Sequence, residues 1–296
     1  MAAVDSNLVD TKLTQLNLRL SPDINYRLET MFPKIEGMFA NSGIKKKFKL
    51  VQRVEPLLKE LLMENEEVLF ISKGNQSSVS EQFFMGALWA QTINHTVVVL
   101  TNLRLLCIRT NGKGKPKRTF WSIYYSQIKE LKSTIFGNAK ICLKDGKNLN
   151  YSGFPKIDRK TMRAVFLDAY KLFEEKGFDP EVSQSREKLC GNCFDVVPKH
   201  NYECESCGAT FWKPSEIGIR SFVFPSWGDF VMKHYSVACA ELLGFMILLM
   251  AIAFAVSDGE YGFAVFLFVI ANGADAAITA QIAAKGLHLK KVPREA

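Results

Sequence analysis

Thr96-Val-Val-Val-Leu100-Thr101-Asn102-Leu103-Arg104-Leu-Leu-Cys-Ile-Arg109 is the stretch on which the reading of this chain turns. Thr96–Leu100 and Arg104–Arg109 are short, rich in β-branched and aliphatic residues, and separated by the turn-like Thr101-Asn102. That arrangement predicts two antiparallel strands joined tightly. Similar runs lie on both sides: Glu67–Ser72 before, then Arg118–Tyr124, Ile128–Ser133 and Lys140–Leu143 after the loop Asn111–Pro116. Asp145-Gly146 makes a hairpin turn before Asn148–Tyr151. A helix is expected from Asp158 to Lys176, stopped by Gly177. Its apolar face is Met162, Val165, Phe166, Ala169, Leu172 and Phe173, at i, i+3, i+4, i+7 spacing.

Six or seven strands closed by one amphipathic helix resemble the pleckstrin-homology-like (PH-like) fold of bacterial PH and GRAM type, over about residues 66–177. The local likeness is the apolar–Thr–Asn–x–Arg–apolar pattern within Val99–Ile108, which in those families forms a tight hairpin. The resemblance implies a β-barrel or sandwich with a C-terminal helix. Residues 82–95 depart from the pattern and read as an insertion, too short to cross a bilayer. Residues 1–65 read as an N-terminal helical region. Segment 8–20 is weakly amphipathic and ends at Ser21-Pro22-Asp23; a second pattern through Ile24, Leu28, Met31 and Phe32 breaks at Pro33. The basic cluster Lys45, Lys46, Lys47 and Lys49 leads into a stripe ending at Leu57, Leu58, Leu61 and Leu62. These stripes are too short to form a core alone and are expected to pack on the next domain.

Residues 178–188 are polar and aperiodic, which suits a linker. Over 189–213, Cys190-Gly-Asn-Cys193 and Cys204-Glu-Ser-Cys207 form C-x2-C-x10-C-x2-C. Two such turns can close a tetrahedron of thiolates, and four soft ligands select Zn2+. With every position filled by Cys the zinc is structural. Gly191 and Gly208 suit the tight turns, and His200 reads as a loop residue. Seven cysteines in all, four of them so paired, point to metal binding in a reducing compartment rather than disulfides.

Residues 235–256 contain one charge, Glu241, and read as a first transmembrane helix. The polar turn Ser257–Glu260 leads to a second at 261–284, with Asn272, Asp275 and Thr279 in its later half. Before them, 214–234 mixes Phe222, Phe224, Trp227, Phe230 and Met232 with Arg220, Asp229 and Lys233. It reads as an interfacial amphipathic segment lying along the bilayer, with Ser226 or Asp229 as a helix cap. The basic tail 285–296 carries Lys285, Lys290, Lys291 and Arg294, while the turn carries Asp258 and Glu260 and no base. The positive-inside rule then places both termini in the cytoplasm of an inner (plasma) membrane, multi-pass protein. Met1–Leu20 does not read as a secretory signal. The intramembrane polar residues Glu241, Asn272 and Asp275 are costly in lipid. They are expected to meet each other or Thr279 across the helix pair, as glue between helices or toward a protein partner. The small residues Gly273, Ala274, Ala276, Ala277 and Ala280 favour close helix packing, and so a homo-oligomer or partner.

The 296 residues carry a formal charge of +8 and a mean hydropathy of +0.01, values that suit a soluble body with a few spans beside an anionic surface. Gly112–Thr119 is Lys-rich but is not a P-loop, because strand residues follow it where a helix would be needed. Lys45, Lys46, Lys47, Lys113, Lys115, Lys117 and Arg118 are the candidate anion-binding residues, with Lys129 beside them. No catalytic residue stands out, and an enzyme is not expected. The fold class expected is α+β. The function expected is a membrane-anchored adaptor that binds protein or anionic lipid headgroups. The alternatives are a nucleic-acid-binding membrane protein, or a subunit of a transport or defence complex using Asp275.

Overall fold

The computed structural model describes residues 5–133, 138–176 and 178–292; the expected helix stop at Gly177 and tail residue Arg294 lie outside them. The fold is α+β. In chain order it runs α1 (Ser6–Gln15), α2 (Leu28–Met31), α3 (Ala40–Leu61), β1 (Val68–Asn75), α4 (Val79–Met85), α5 (Ala87–Ile93), β2 (His95–Thr101), β3 (Arg104–Thr110), β4 (Pro116–Tyr124), β5 (Ile128–Ser133), β6 (Ala139–Leu143) and β7 (Asn148–Tyr151). There follow α6 (Lys156–Lys176), β8 (Glu187–Leu189), β9 (Val196–Val197), β10 (Thr210–Phe211), α7 (Pro214–Val223), α8 (Trp227–Val231), α9 (Tyr235–Ser257), α10 (Tyr261–Ala283) and β11 (Leu289–Lys291). Two compact units result: residues up to 78 with 94–190 and 194–200, and residues 79–93 with 191–193 and 201 onward.

In the first unit an antiparallel sheet of order β1-β2-β3-β4-β8-β9 faces a second sheet, β5-β6-β7. One core lies between them: Val98, Leu100, Leu105, Cys107, Trp121 and Ile123 meet Ile128, Ile141 and Tyr151, with Met162, Val165, Phe166 and Ala169 of α6. A second core lies on the outer face, where Val97, Val99, Leu106 and Ile108 meet Ile44, Phe48, Val51, Val54 and Leu58 of α3, with α1 and α2 beside them. Because helices cover the outer face, β2 and β3 are buried on both sides. Their sequences are accordingly nearly continuous apolar runs rather than alternating ones.

The Thr101–Arg104 motif is a structural knot. Thr101 Oγ1 donates to Glu66 Oε1 at 2.6 Å and accepts the Arg104 N–H at 3.0 Å. Asn102 Oδ1 accepts the Glu67 N–H at 2.9 Å. Arg104 forks onto Glu66 (Nε to Oε1 3.1 Å, Nη2 to Oε2 3.0 Å) and also donates to the Leu61 carbonyl. Both charged side chains are almost wholly buried. The turn, the end of α3 and the start of β1 are therefore tied by one buried ion pair whose hydrogen-bonding capacity is largely met.

Three expectations are corrected in this unit. The stretch 178–188 does not remain a linker: Glu187 and Lys188 form β8, which pairs with β4 at Ser122 and Trp121. The basic cluster does not precede a helix but lies inside α3. Within it, Lys47 turns inward.

In the second unit α9 and α10, joined by a three-residue turn, run antiparallel. Pro214 opens α7, and the Glu216 carboxylate accepts the Lys213 N–H at that end. Gly218 lets α7 touch α10: a Cβ there would stand 3.0 Å from the Ala276 carbonyl and 3.1 Å from the Ala280 Cβ. Further along, Asn272 Nδ2 donates to the Phe222 carbonyl at 3.1 Å, and the Phe222 ring lies 6.5 Å from that of Phe268. These contacts run α7 antiparallel to α10. Phe224 then meets Phe245 of α9 at 5.5 Å, and α8 returns to the start of α9. Segment 214–234, expected as an interfacial amphipathic segment lying along the bilayer, is a half-length helical hairpin packed along the two long helices. Phe245 lies ten residues into α9, about 15 Å of rise, so the hairpin tip reaches roughly halfway. Ala276 and Ala280 give their small size to the contact with Gly218 of α7. The expected tail is also partly structured: β11 pairs with β10, Lys285 pairs with buried Glu81, and Lys290 with Glu216.

Candidate functional site

The four motif cysteines come together. In the first turn Cys190 N–H donates to the Asp195 carbonyl (2.8 Å) and Phe194 N–H to the Cys190 carbonyl (3.2 Å); in the second, Cys204 N–H donates to Ala209 and Gly208 N–H to Cys204, both at 2.8 Å. Each turn passes through a left-handed residue just after its second cysteine, Phe194 at φ 66° and Gly208 at φ 65°. The expected role of Gly191 therefore falls to Phe194. All four Sγ atoms lie within 4.8 Å of one another, and Cys193 and Cys204 are 3.4 Å apart. Metal–sulfur bonds of about 2.3 Å in a tetrahedron require sulfurs about 3.8 Å apart. The set fits one metal ion, and His200 stands outside it.

A cationic surface forms where α3 crosses the β3–β4 loop. Asn111 folds the loop by accepting the Lys113 and Lys115 N–H groups, each at 3.0 Å. Arg53 of α3 donates to the Lys113 carbonyl, and Lys73 at the end of β1 donates to the Gly112 carbonyl. The charged neighbours of Lys73 are Lys46 and Arg53; those of His95 are Lys73, Lys117 and Arg109. Partial burial and these cations push His95 down to about 4. Lys46, Lys113, Lys115 and Arg118 are exposed. Of the expected anion-binding residues, Lys46, Lys113 and Lys117 share this surface.

Lys47 does not join it. Its Nζ is 2.9 Å from Asp158 Oδ1 and 4.4 Å from the Phe70 ring centre, and Ser72 donates to the other Asp158 oxygen. Burial lowers the Lys47 pKa and Asp158 opposes that shift. The reason is helical phase: position 47 follows Ile44 by three and precedes Val51 by four, which places it on the buried stripe. Sequence reasoning also missed Arg53, Lys73 and His95. Lys73 and His95 are each the lone base of their strand, Arg53 stands one turn beyond the lysine cluster of α3, and only the tertiary fold brings them together.

Of the polar residues in the long apolar helices, Asn272 and Thr279 face the α7–α8 hairpin instead of crossing to α9. A Cβ on Gly228 would come within 2.5 Å of both Thr279 Cγ2 and Ser221 Oγ. Asp229 of α8 is fully buried and bonds His234 Nδ1 at 2.9 Å. It is therefore neither an interfacial charge nor a cap. Ser226 takes the N-cap position at φ 75° without a side-chain capping bond.

Residues 62–157 match the family model described as bacterial PH domain. The match covers β1 to β7 and the start of α6, so the PH-like reading holds for that domain. No curated protein matches the chain. Among solved structures, the crystal structure of the C-terminal domain of an unknown protein from Leishmania infantum is similar at 12% identity and a TM-score of 0.28, over 44% of this chain and 97% of that one.

α9 and α10, with mean hydropathies of 2.4 and 1.8, are each long and apolar enough to cross a membrane. Only 11% and 17% of their most apolar stretches are buried. A core helix of a soluble protein would be mostly covered. Here Leu243, Ile247, Met250, Phe254, Phe263 and Ile270 are exposed.

Proposed function

We propose that this chain is a non-enzymatic, membrane-anchored adaptor whose PH-like domain binds polyphosphorylated headgroups at its cationic surface. The observation that carries the reading is the meeting of Lys46, Arg53, Lys73, His95 and Lys117 around one ordered loop. Clustered bases attract an anionic surface at about 1 kcal/mol each. α9 and α10 cross the membrane with both termini on the cytoplasmic side, where thiolates stay reduced. The four cysteines hold Zn2+, the ion that four thiolates in a tetrahedron favour. With no open coordination position that zinc orders residues 190–207 and performs no chemistry.

The test uses the full chain in neutral detergent micelles, titrated with a soluble inositol polyphosphate and, separately, with a short single-stranded oligonucleotide. Saturable inositol phosphate binding, weakened about a hundredfold by Lys46→Ala with Lys73→Ala and Lys113→Ala, supports the proposal. Tight, salt-sensitive binding of the oligonucleotide alone would move the assignment to nucleic acid. Binding of neither would reject the surface as a ligand site. Recovery of the chain in the soluble fraction without detergent would reject the anchor.

A further inference from the structure

The α7–α8 hairpin brings together acids that headgroup binding does not use. Asp229 of α8, Glu241 of α9 and Asp275 of α10 converge near its tip. Glu241 lies beside both Asp229 and Asp275, and Asp275 beside Asp229. The Ser226 N–H and the Ser221 hydroxyl lie near Asp275. His234, on Asp229 Oδ1, is the one basic side chain within ion-pair distance of these acids among the described residues. Arg220 of α7 is turned away, onto the Glu216 carbonyl and the Trp212 ring.

The oxygens of this group are under-satisfied. Asp229 Oδ2, Glu241 Oε2, Asp275 Oδ2, Asn272 Oδ1 and Ser226 Oγ are buried without a hydrogen-bond partner, and Asp229, Asn272 and Ser226 are 0% exposed. Neighbouring carboxylates repel when all are ionised, and a proton or a cation among them relieves that repulsion. Three acids against one imidazole leave negative charge to be balanced in low-dielectric surroundings, where unpaired charge is most costly. Every free ligand atom is oxygen, which suits a hard cation. A ready-made cage for a divalent ion is not what is built. Among the described residues the four cysteines are the one group with three or more ligand atoms within 4.8 Å of one another.

We propose that the space between Asp229, Glu241 and Asp275 is a binding site for one small monovalent cation, a proton or Na+, about 9–12 Å of helical rise from the start of α9 and the end of α10. A half-length hairpin packed against spanning helices is the kind of non-spanning backbone that membranes tolerate when it is covered by protein, and ion sites recur at such breaks. The depth of the site rests on the reading that α9 and α10 cross the membrane. The existence of the site does not.

The test uses the full chain in lipid nanodiscs: wild type, Glu241→Gln, Asp229→Asn, and Asp258→Asn in the exposed turn as control. Melting temperature is followed from acid to alkaline pH in choline and in sodium buffers. A cation held in the folded state alone makes stability fall as pH rises in choline. Glu241→Gln and Asp229→Asn should each reduce that slope by about half or more, while Asp258→Asn keeps it. Restoration of the alkaline wild-type melting temperature by sodium, absent in Glu241→Gln, assigns Na+. A slope blind to sodium, with a protonated-carboxyl infrared band at neutral pH that disappears in Glu241→Gln, assigns the proton. Identical pH profiles for wild type, Glu241→Gln and Asp229→Asn in both buffers would overturn the proposal. Alkaline extraction of the same membranes reads membrane crossing independently.

Discussion

Arg104→Met leaves Glu66 buried with its charge and without its counter-ion. The carboxylate has four donors: Arg104 Nε and Nη2, Thr101 Oγ1 and the Met63 N–H. The substitution removes the two charged ones and the bond to the Leu61 carbonyl. Bonds to charged groups contribute about 1.5–3 kcal/mol each, and breaking a buried pair typically costs about 3–5 kcal/mol. Because Thr101 and Met63 still hold the carboxylate, a loss of about 3 kcal/mol is expected. Adding Glu66→Gln removes the stranded charge and should recover at least about 1 kcal/mol. The assay is urea unfolding of the full chain in mild detergent, with amide exchange at Val97–Val99 reporting on this sheet. If Arg104→Met lies within about 0.5 kcal/mol of wild type, or the double variant is no more stable than the single one, the view of Thr101–Arg104 as a structural knot is wrong. The motif would then have to be explained by binding.

Cys193→Ser should take the zinc content from one ion per chain to none by mass spectrometry, and should strip exchange protection from the Phe194 and Gly208 amides. Zinc retained in that variant would argue against the four-cysteine site. His95 titrates near 4 in the folded chain against 6.5 when exposed, so the unfolded state takes up a proton first on acidification. Stability should therefore fall between pH 6.5 and about 4, by roughly 1 kcal/mol once partial solvent screening is allowed for. His95→Gln should flatten that fall, and a bound polyanion should reverse its direction by favouring the charged ring; a fall unaltered by His95→Gln assigns it elsewhere.

The PH-like strands were legible because β-branched runs and turn residues alternate clearly from Glu67 to Tyr151, and the four cysteines because their spacing is itself the geometry. What escaped was tertiary. Glu187 and Lys188 look like linker, and only Ser122 and Trp121 opposite them make them strand. Arg186 beside them is charged, yet its guanidinium lies 5.0 Å from the Trp121 ring centre. Lys47 could have been placed by the phase of Ile44, Phe48 and Val51. Asp229 and His234 could not, since nothing in a sequence so rich in interfacial aromatics marks one acid as buried.

The pairing of β8 with β4 has a consequence for the chain in solution. Without it β4 would present a row of open amides and carbonyls to any passing strand. The first cysteine turn closes that row with β9, a strand two residues long and too short to recruit another. Loss of metal would therefore first appear as self-association through an unguarded sheet margin, before any loss of the PH-like core.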